Sequence, residues 1–189
     1  GEKIDSFLNL DSKKHDLEII KLTKPLERVG DDLQDFRILS FDLEVRNPHG
    51  MPNSEVDEII MIGVASNFGI NQVISTKTNS EDRDDFVNQV ASEKEMIETF
   101  IDIVKKSNVD IIVGYNSDNF DFPYLKDRAK SHGIDLDLGM DDSNIKFIRR
   151  GFANAASFKG LIHVDLYLVM RRYMTLERYT LERVYYELF

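Results

Sequence analysis

An apolar run that carries two acids in its own middle is the feature that most restricts how this chain folds: residues 36–45 read FRILSFDLEV. Side chains of a β-strand alternate faces with a period of two, so Asp42 and Glu44 project from the same side of one strand. Two carboxylates at that separation repel each other. Such a pair is tolerated where its face meets water, or where a cation lies between the acids, a divalent metal being the usual one.

The rest of the chain surrounds that strand with a mixed set of elements. Residues 1–35 alternate polar and apolar residues without a clear period and break at Gly30–Asp32. They are expected to form a leader segment with one short strand, the tail of an N-terminal domain. After the acidic strand, RNPHGMPNSEVD is a loop, EIIMIGVASN a second strand and INQVIST a third, followed by a polar gap from Lys77 to Asp85. SEKEMIETFIDIVKKSN predicts a helix, with Ser92 as N-cap, Glu95 at the capping-box position, and Met96, Ile97, Phe100, Ile101 and Val104 at helical spacing. VDIIVGYN is a short apolar strand of the kind covered on both faces. FPYLKDRAKSHG continues as a helix that stops near Gly133. IKFIRRGFANAASFKGLIHVDLYLVM reads as a hairpin or extended pair, and YTLERVYYELF as a last amphipathic helix. Antiparallel strands followed by strand-helix units imply an α/β (α+β mixed) fold, a mixed sheet flanked by helices.

At 189 residues, 42% hydrophobic and 31% charged, the chain fits one domain with a sizeable core. No run of about 18 apolar residues exists to cross a membrane. The start lacks the basic and apolar blocks of a secretory signal, and it opens on Gly rather than Met, as an excised piece would. With no cysteine there are no disulfides or thiolate metal sites, which fits a reducing cytoplasm. The net charge of −10 argues against phosphate contacts until its distribution is considered. Residues 144–189 hold eight Lys or Arg against four Asp or Glu, a balance of +4 that leaves −14 for residues 1–143. A basic end on an acidic chain is either a phosphate-tracking face or simply a differently solvated surface.

A second acidic stretch lies far along the chain. In IIVGYNSDNFDFPYLKDRA, Asp118 and Asp121 sit in the turn between a buried strand and a helix, at the sheet edge where α/β sites form. Taken alone, such acids are helix caps. Together with Asp42 and Glu44 on a neighbouring strand, Asp121 would complete a cage of hard oxygen ligands for Mg²⁺ or Mn²⁺. That arrangement serves two-metal phosphodiester cleavage, in which the ions lie about 3.5–4 Å apart.

These stretches, in this order, resemble the 3′-5′ exonuclease region of the family B DNA polymerases, the archaeal ones especially. FDLE is similar to the family's first exonuclease motif, Asp-x-Glu on the first strand of an RNase H-like sheet. YNSDNFDFPYL is similar to the second, Asn-x-x-x-Phe-Asp, through Asn116, Phe120 and Asp121. SEKEMI, DIIVGYN, HVDLY and YTLERVYYELF resemble the stretches that flank these motifs, so the likeness covers residues 36–189. The resemblance implies an RNase H-like domain with an inserted β-hairpin, truncated at its C-terminal end. It implies that Asp42, Glu44 and Asp121 are catalytic metal ligands for Mg²⁺ or Mn²⁺, with Glu44 also placing the attacking water. Asn116, Phe120 and Leu43 would shape the slot for a primer's 3′ end. The implied partners are single-stranded and primer-template DNA and the remaining polymerase domains, in a cytoplasmic, nucleoid-associated setting. Lys146, Arg149, Arg150 and Lys159 would lie on the hairpin near the point of strand separation. Ser117 stands where relatives often have Gly, and Leu43 where many have Ile.

The family's third motif, Tyr-x-x-x-Asp, does not occur here. Tyr173 and Glu177 share its spacing with a Glu, but they precede YTLERVYYELF, whereas the family places the motif after it. The expectation is therefore a folded piece with feeble or no nuclease activity of its own. Alternatives are a decayed DNA-binding or structural domain, which would not need the three acids, and a stand-alone RNase H-like exonuclease, which would need the fourth. Asp165 is expected to cap or accept hydrogen bonds rather than ligate. His15, His49, His132 and His163 show no mutual ligand spacing and are expected to be structural or solvated. Phe120, Phe122 and Tyr124 are candidates for stacking on bases, with helix packing as the alternative for Phe122. Arg171 and Arg172 are either phosphate contacts or a solvated helix end.

Overall fold

A computed structural model describes residues 1–7, 10–12, 18–27, 35–47, 50–77, 85–150 and 153–189. The Gly30–Asp32 break, His15, His49, the side chain of Arg150 and most of the polar gap fall outside the described residues. Among the described residues of 1–35 there are four short strands rather than one: β1 (Glu2–Ile4), β2 (Ser6–Phe7), β3 (Leu10–Asp11) and β4 (Ile19–Lys21). β1 pairs antiparallel with β4, and β2 with β3. Strands of two or three residues are too short to display a period, which is why the sequence does not announce them.

The central sheet is built from β5 (Ile38–Val45), β6 (Ile59–Ser66), β7 (Asn71–Ser75), β8 (Val87–Gln89), β9 (Ile111–Gly114) and a later strand, β12 (Ile162–Asp165). Its spatial order is β12-β9-β5-β6-β7-β8. The β5–β6 and β6–β7 pairs are antiparallel, whereas β5–β9, β9–β12 and β7–β8 are parallel. Between β9 and β12 lies a separate antiparallel hairpin, β10 (Lys146–Arg150) with β11 (Ala153–Ser157). The helices that lie wholly within the described residues are α1 (Glu93–Lys106), α2 (Asp121–Ser131), α3 (Leu166–Tyr173) and α4 (Leu181–Leu188). This is the mixed sheet flanked by helices, with an inserted hairpin, that the sequence implies.

Period-two alternation decides which face of β5 is sealed. Leu39, Phe41 and Leu43 are buried, and Ser40, Asp42 and Glu44 are exposed. The sealed face packs against α1 and α2, where the Phe41 ring lies 5.2 Å from Phe100 and 4.7 Å from Phe122. Helix α1 presents Met96, Ile97, Phe100, Ile101 and Val104 to this core. Its start is capped as its sequence requires, with the Glu95 N–H donating to Ser92 Oγ, although the Glu95 carboxylate accepts from Ala91 rather than from the capping residue itself. Helix α2 ends at a His132 cap followed by Gly133 at φ +68°, a left-handed position suited to glycine.

Two further elements depart from the sequence reading. LYLVM continues not as a strand but as α3, because Asp165 caps it by accepting the Tyr167 N–H. A short apolar run carries no periodic signal that separates strand from helix, so the cap decides. The three-residue β8 was also not anticipated.

Beneath the sheet, Glu93 on α1 joins Arg128 on α2 through two bonds of 2.8 and 2.6 Å, and also meets His132 at 2.7 Å and the Ile59 N–H at 2.8 Å. Both charged partners are buried. Burial raises the Glu93 carboxyl, but the bonds from Arg128, His132 and Ile59 outweigh it and hold the group below the usual carboxylate range. His132 is thus structural, as expected. Arg128→Met should strand Glu93 and destabilise the fold by about 3–5 kcal/mol, whereas Arg128→Met with Glu93→Leu should recover much of that loss. Urea denaturation of both variants checks this, and equal losses in the two would refute it.

Candidate active site

The site begins where two strands differ in length. β9 pairs with β5 only through Ile38↔Ile111, Leu39↔Ile112 and Ser40↔Val113. Beyond Ser40 that edge of β5 has no strand beside it among the described residues, and a backbone N–H left there needs an acceptor. Asp121, the first residue of α2, supplies it: its Oδ1 accepts the Leu43 N–H at 3.2 Å. The third acid is thereby tied to the main chain between the first two.

The turn joining β9 to α2 is held from below. Asn116 has φ +62°, a left-handed conformation that Asn tolerates better than most residues. Its N–H and that of Asp118 both donate to the Asp165 carboxylate, at 2.8 and 3.1 Å. His163 reaches Ser117 Oγ at 2.9 Å and Asp118 Oδ1 at 3.3 Å, and Asp118 Oδ1 also accepts the Ala156 N–H of the hairpin at 2.6 Å. Ser117, His163 and Asp118 form a serine–histidine–aspartate chain, but Ser117 is 0% exposed. A sealed hydroxyl cannot attack a substrate, so this chain is a structural lock. Asp165 and His163 play the structural parts expected of them. The lock itself was not anticipated, since His163 lies 46 residues from Ser117.

Of the three acids, Asp42 lines a cleft of about 420 Å³ between the open sheet face and α3 and α4, with Ser40, Gly63, Ala65, Leu166 and Leu181 also in its walls. Partial burial, and then the charge of Glu44, raise the Asp42 carboxyl above its ordinary range, against a bond from Leu43. Asp121 is pushed up to about 7, first by burial and then by the charge of Asp42, with the Leu43 N–H opposing both. The donor set is all carboxylate oxygen, and the repulsion within it is of the kind a hard divalent cation relieves. The chemistry of these residues therefore fits Mg²⁺ or Mn²⁺. As they stand, no three His, Cys, Asp or Glu side chains among the described residues gather closely enough to enclose an ion.

The other residues singled out in the sequence divide clearly. Asn116 is half-buried, its Oδ1 accepting from Asn119. Phe120 is half-buried and leans on Tyr124 at 5.4 Å. The side chain of Leu43 is in the core, so only its amide faces the acids. Phe122 and Tyr124 are also core residues, which removes them as stacking surfaces. On the hairpin Lys146 and Arg149 are exposed, whereas Lys159 pairs with Asp141 at 2.7 Å. Arg171 lies over the rings of Tyr167 and Tyr179, and Arg172 is exposed. Tyr173 and Glu177 are both exposed to solvent.

An RNase H-like mixed α/β fold, with acids on the exposed face of its central strand and a third at the adjoining helix start, defines the class of this chain. The profile of the DNA polymerase family B exonuclease domain matches residues 6–184, and the chain belongs to that family. It is 39% identical over 178 residues to a DNA polymerase of Methanocaldococcus jannaschii, covering 92% of this chain and 10% of the relative. It is 41% identical over 165 residues to a DNA polymerase of Thermococcus kodakarensis, covering 87% of this chain and 9% of the relative. The chain thus spans about a tenth of the length of these relatives. The family B DNA polymerase structure from Pyrobaculum calidifontis superposes with a TM-score of 0.67 at 31% identity, over 82% of this chain and 18% of that one. Among the described residues no helix is long and apolar enough to cross a membrane.

The raised Asp121 carboxyl has a measurable consequence. Below its unfolded value of 3.8 the group is protonated in folded and unfolded chains alike; between there and about 7 only the unfolded chain releases the proton. Stability from this group is therefore full in acid and is lost as the pH rises through about 7. Asp121→Asn should gain on the wild type by up to about 4 kcal/mol between pH 4 and pH 8 in EDTA. Denaturation series at the two pH values test this, and a pH-independent difference would contradict it.

Proposed function

We propose that this chain is the proofreading 3′-5′ exonuclease region of a DNA-directed DNA polymerase, hydrolysing the terminal phosphodiester of a frayed DNA 3′ end. Residues 36–189 form the nuclease unit and residues 1–35 its leader. The observation that carries this reading is the bond from Leu43 N–H to Asp121 Oδ1, which ties a helix-start acid to the strand between Asp42 and Glu44. Asp42, Glu44 and Asp121 would hold Mg²⁺ or Mn²⁺. Bound there, such ions supply an activated water and charge stabilisation at the leaving 3′ oxygen.

The chain's own residues do the rest. Glu44, on the exposed face of β5 two residues after Asp42, orients the attacking water. Asn116 and Phe120, at the mouth of the turn, shape the slot for the terminal nucleotide, and Phe120 is the one ring of its group left open to a base. Leu43 contributes through its amide, which fixes Asp121. Single-stranded ends are preferred because a mismatched terminus costs less to unpair, so selection precedes chemistry. The partners are the primer end, the template and the other polymerase domains, within the cytoplasm. Support for the assignment comes from the family membership and from the three acids together.

With no Tyr-x-x-x-Asp in the chain, a fourth carboxylate is lacking, and misplacing a reacting group by about 1 Å costs roughly a hundredfold in rate. The chain alone should therefore release 3′-terminal nucleotides slowly, only with Mn²⁺ or Mg²⁺, and not at all after Asp42→Ala. The assay is a Mn²⁺ titration with a 3′-labelled oligonucleotide, paired with calorimetric Mn²⁺ binding. Neither binding nor release would end the nuclease reading. Brisk digestion abolished by Asp42→Ala would instead overturn the missing-ligand argument.

A further inference from the structure

We propose that Asp165 is a positioning residue for the acid site, its carboxylate fixing the turn that delivers Asn116, Phe120 and Asp121; this deepens the nuclease reading and rests on it. β12 lies at the sheet edge, and its register places Asp165 beside Gly114, the last residue of β9 and the point where the turn begins. Oδ1 accepts the N–H of Asn116 at 2.8 Å and of Tyr167 at 3.0 Å, and Oδ2 accepts the N–H of Asp118 at 3.1 Å. Capping α3 needs one oxygen. The second goes to the turn.

From there the hold passes along the backbone to Asp121 without a gap. The Asn116 carbonyl accepts from the Asn119 and Phe120 amides, and the Ser117 carbonyl accepts from Phe122. His163, two residues before Asp165 on the same face of β12, grips Ser117 and Asp118 from beneath. The turn is therefore bonded at 116, 117 and 118 to one strand, and Asp121 follows three residues later. Left-handed Asn116 is the residue this hold keeps in place. A group accepting three backbone N–H bonds from a buried position is worth more as a full carboxylate than as an amide, because both of its oxygens must accept.

Hydrogen exchange and kinetics together test the assignment. In the wild-type chain the Asn116 and Asp118 amides should exchange as slowly as the Leu43 amide. Asp165→Asn keeps one acceptor oxygen and should quicken Leu43 exchange at least tenfold, while amides paired between β5 and β6 stay within threefold. With Mn²⁺ and a 3′-labelled oligonucleotide, the same variant should lose about a hundredfold in kcat with KM within twofold, the size expected for a misplacement of about 1 Å. Unchanged Leu43 exchange, or loosening of the whole sheet together, would overturn the proposal. Should the variant not fold, fast Asn116 and Asp118 exchange in the wild type would overturn it, and slow exchange matching Leu43 would support it. A wild type that neither binds Mn²⁺ nor digests DNA removes the nuclease reading, while the Leu43 amide still reports whether Asp165 places Asp121.

Discussion

The site depends on β9 ending before β5 does. Had β9 run two residues further, it could have paired with Leu43, and Asp121 would have had no reason to approach the strand. Because β9 stops at Gly114, the Leu43 amide is satisfied by a side chain from 78 residues away. A buried amide without an acceptor costs about 1–3 kcal/mol, so the bond is strongly favoured even though it buries a carboxylate. Burial and the charge of Asp42 then push that carboxylate up to about 7. One local requirement of backbone hydrogen bonding thus concentrates negative charge on β5.

Helix α2 is held at both ends by buried polar groups and along its length by the core. At its start, Asp121 meets β5, and the preceding turn is bonded to β12. Near its end, Arg128 and His132 meet Glu93 on α1. Between these, Phe122, Leu125 and Ala129 pack into the core. A helix constrained this way cannot slide without breaking apolar contacts and stranding charges. The position of its first residue is thus set by the whole fold rather than by the turn alone.

Much of this was legible in the sequence, and the part that was not shares one character. The exposed face of Asp42 and Glu44 follows from a period of two, and the cap and buried stripe of α1 follow from Ser92 and a helical period. Both signals are local. The Glu93 group, the Ser117–His163–Asp118 lock and the Lys159–Asp141 pair join residues 18 to 46 apart, and no local pattern predicts such partners. Lys159 shows the consequence. Its charge suggested a phosphate contact, yet Asp141 already takes it, and the Lys159 bond in turn holds the Asp141 carboxyl down to about 2. The aromatic residues near the motif illustrate the same gap, because Phe120, Phe122 and Tyr124 look alike in sequence and only the packing separates a half-open ring from two core residues.

The electrostatics of the acids link proton and cation at the proposed site. With Asp121 raised to about 7, a metal-free chain at neutral pH carries that carboxyl partly protonated, and the protonated form relieves the repulsion from Asp42. A carboxylate must lose its proton before it can ligate. Asp121 would therefore exchange a proton for a share in a divalent cation, and its affinity for that cation would rise with pH until the group is fully ionised. Either occupant removes the same frustration, since each places positive charge among acids that repel. The fold supplies the repulsion and leaves the identity of the relieving charge to the solution around it.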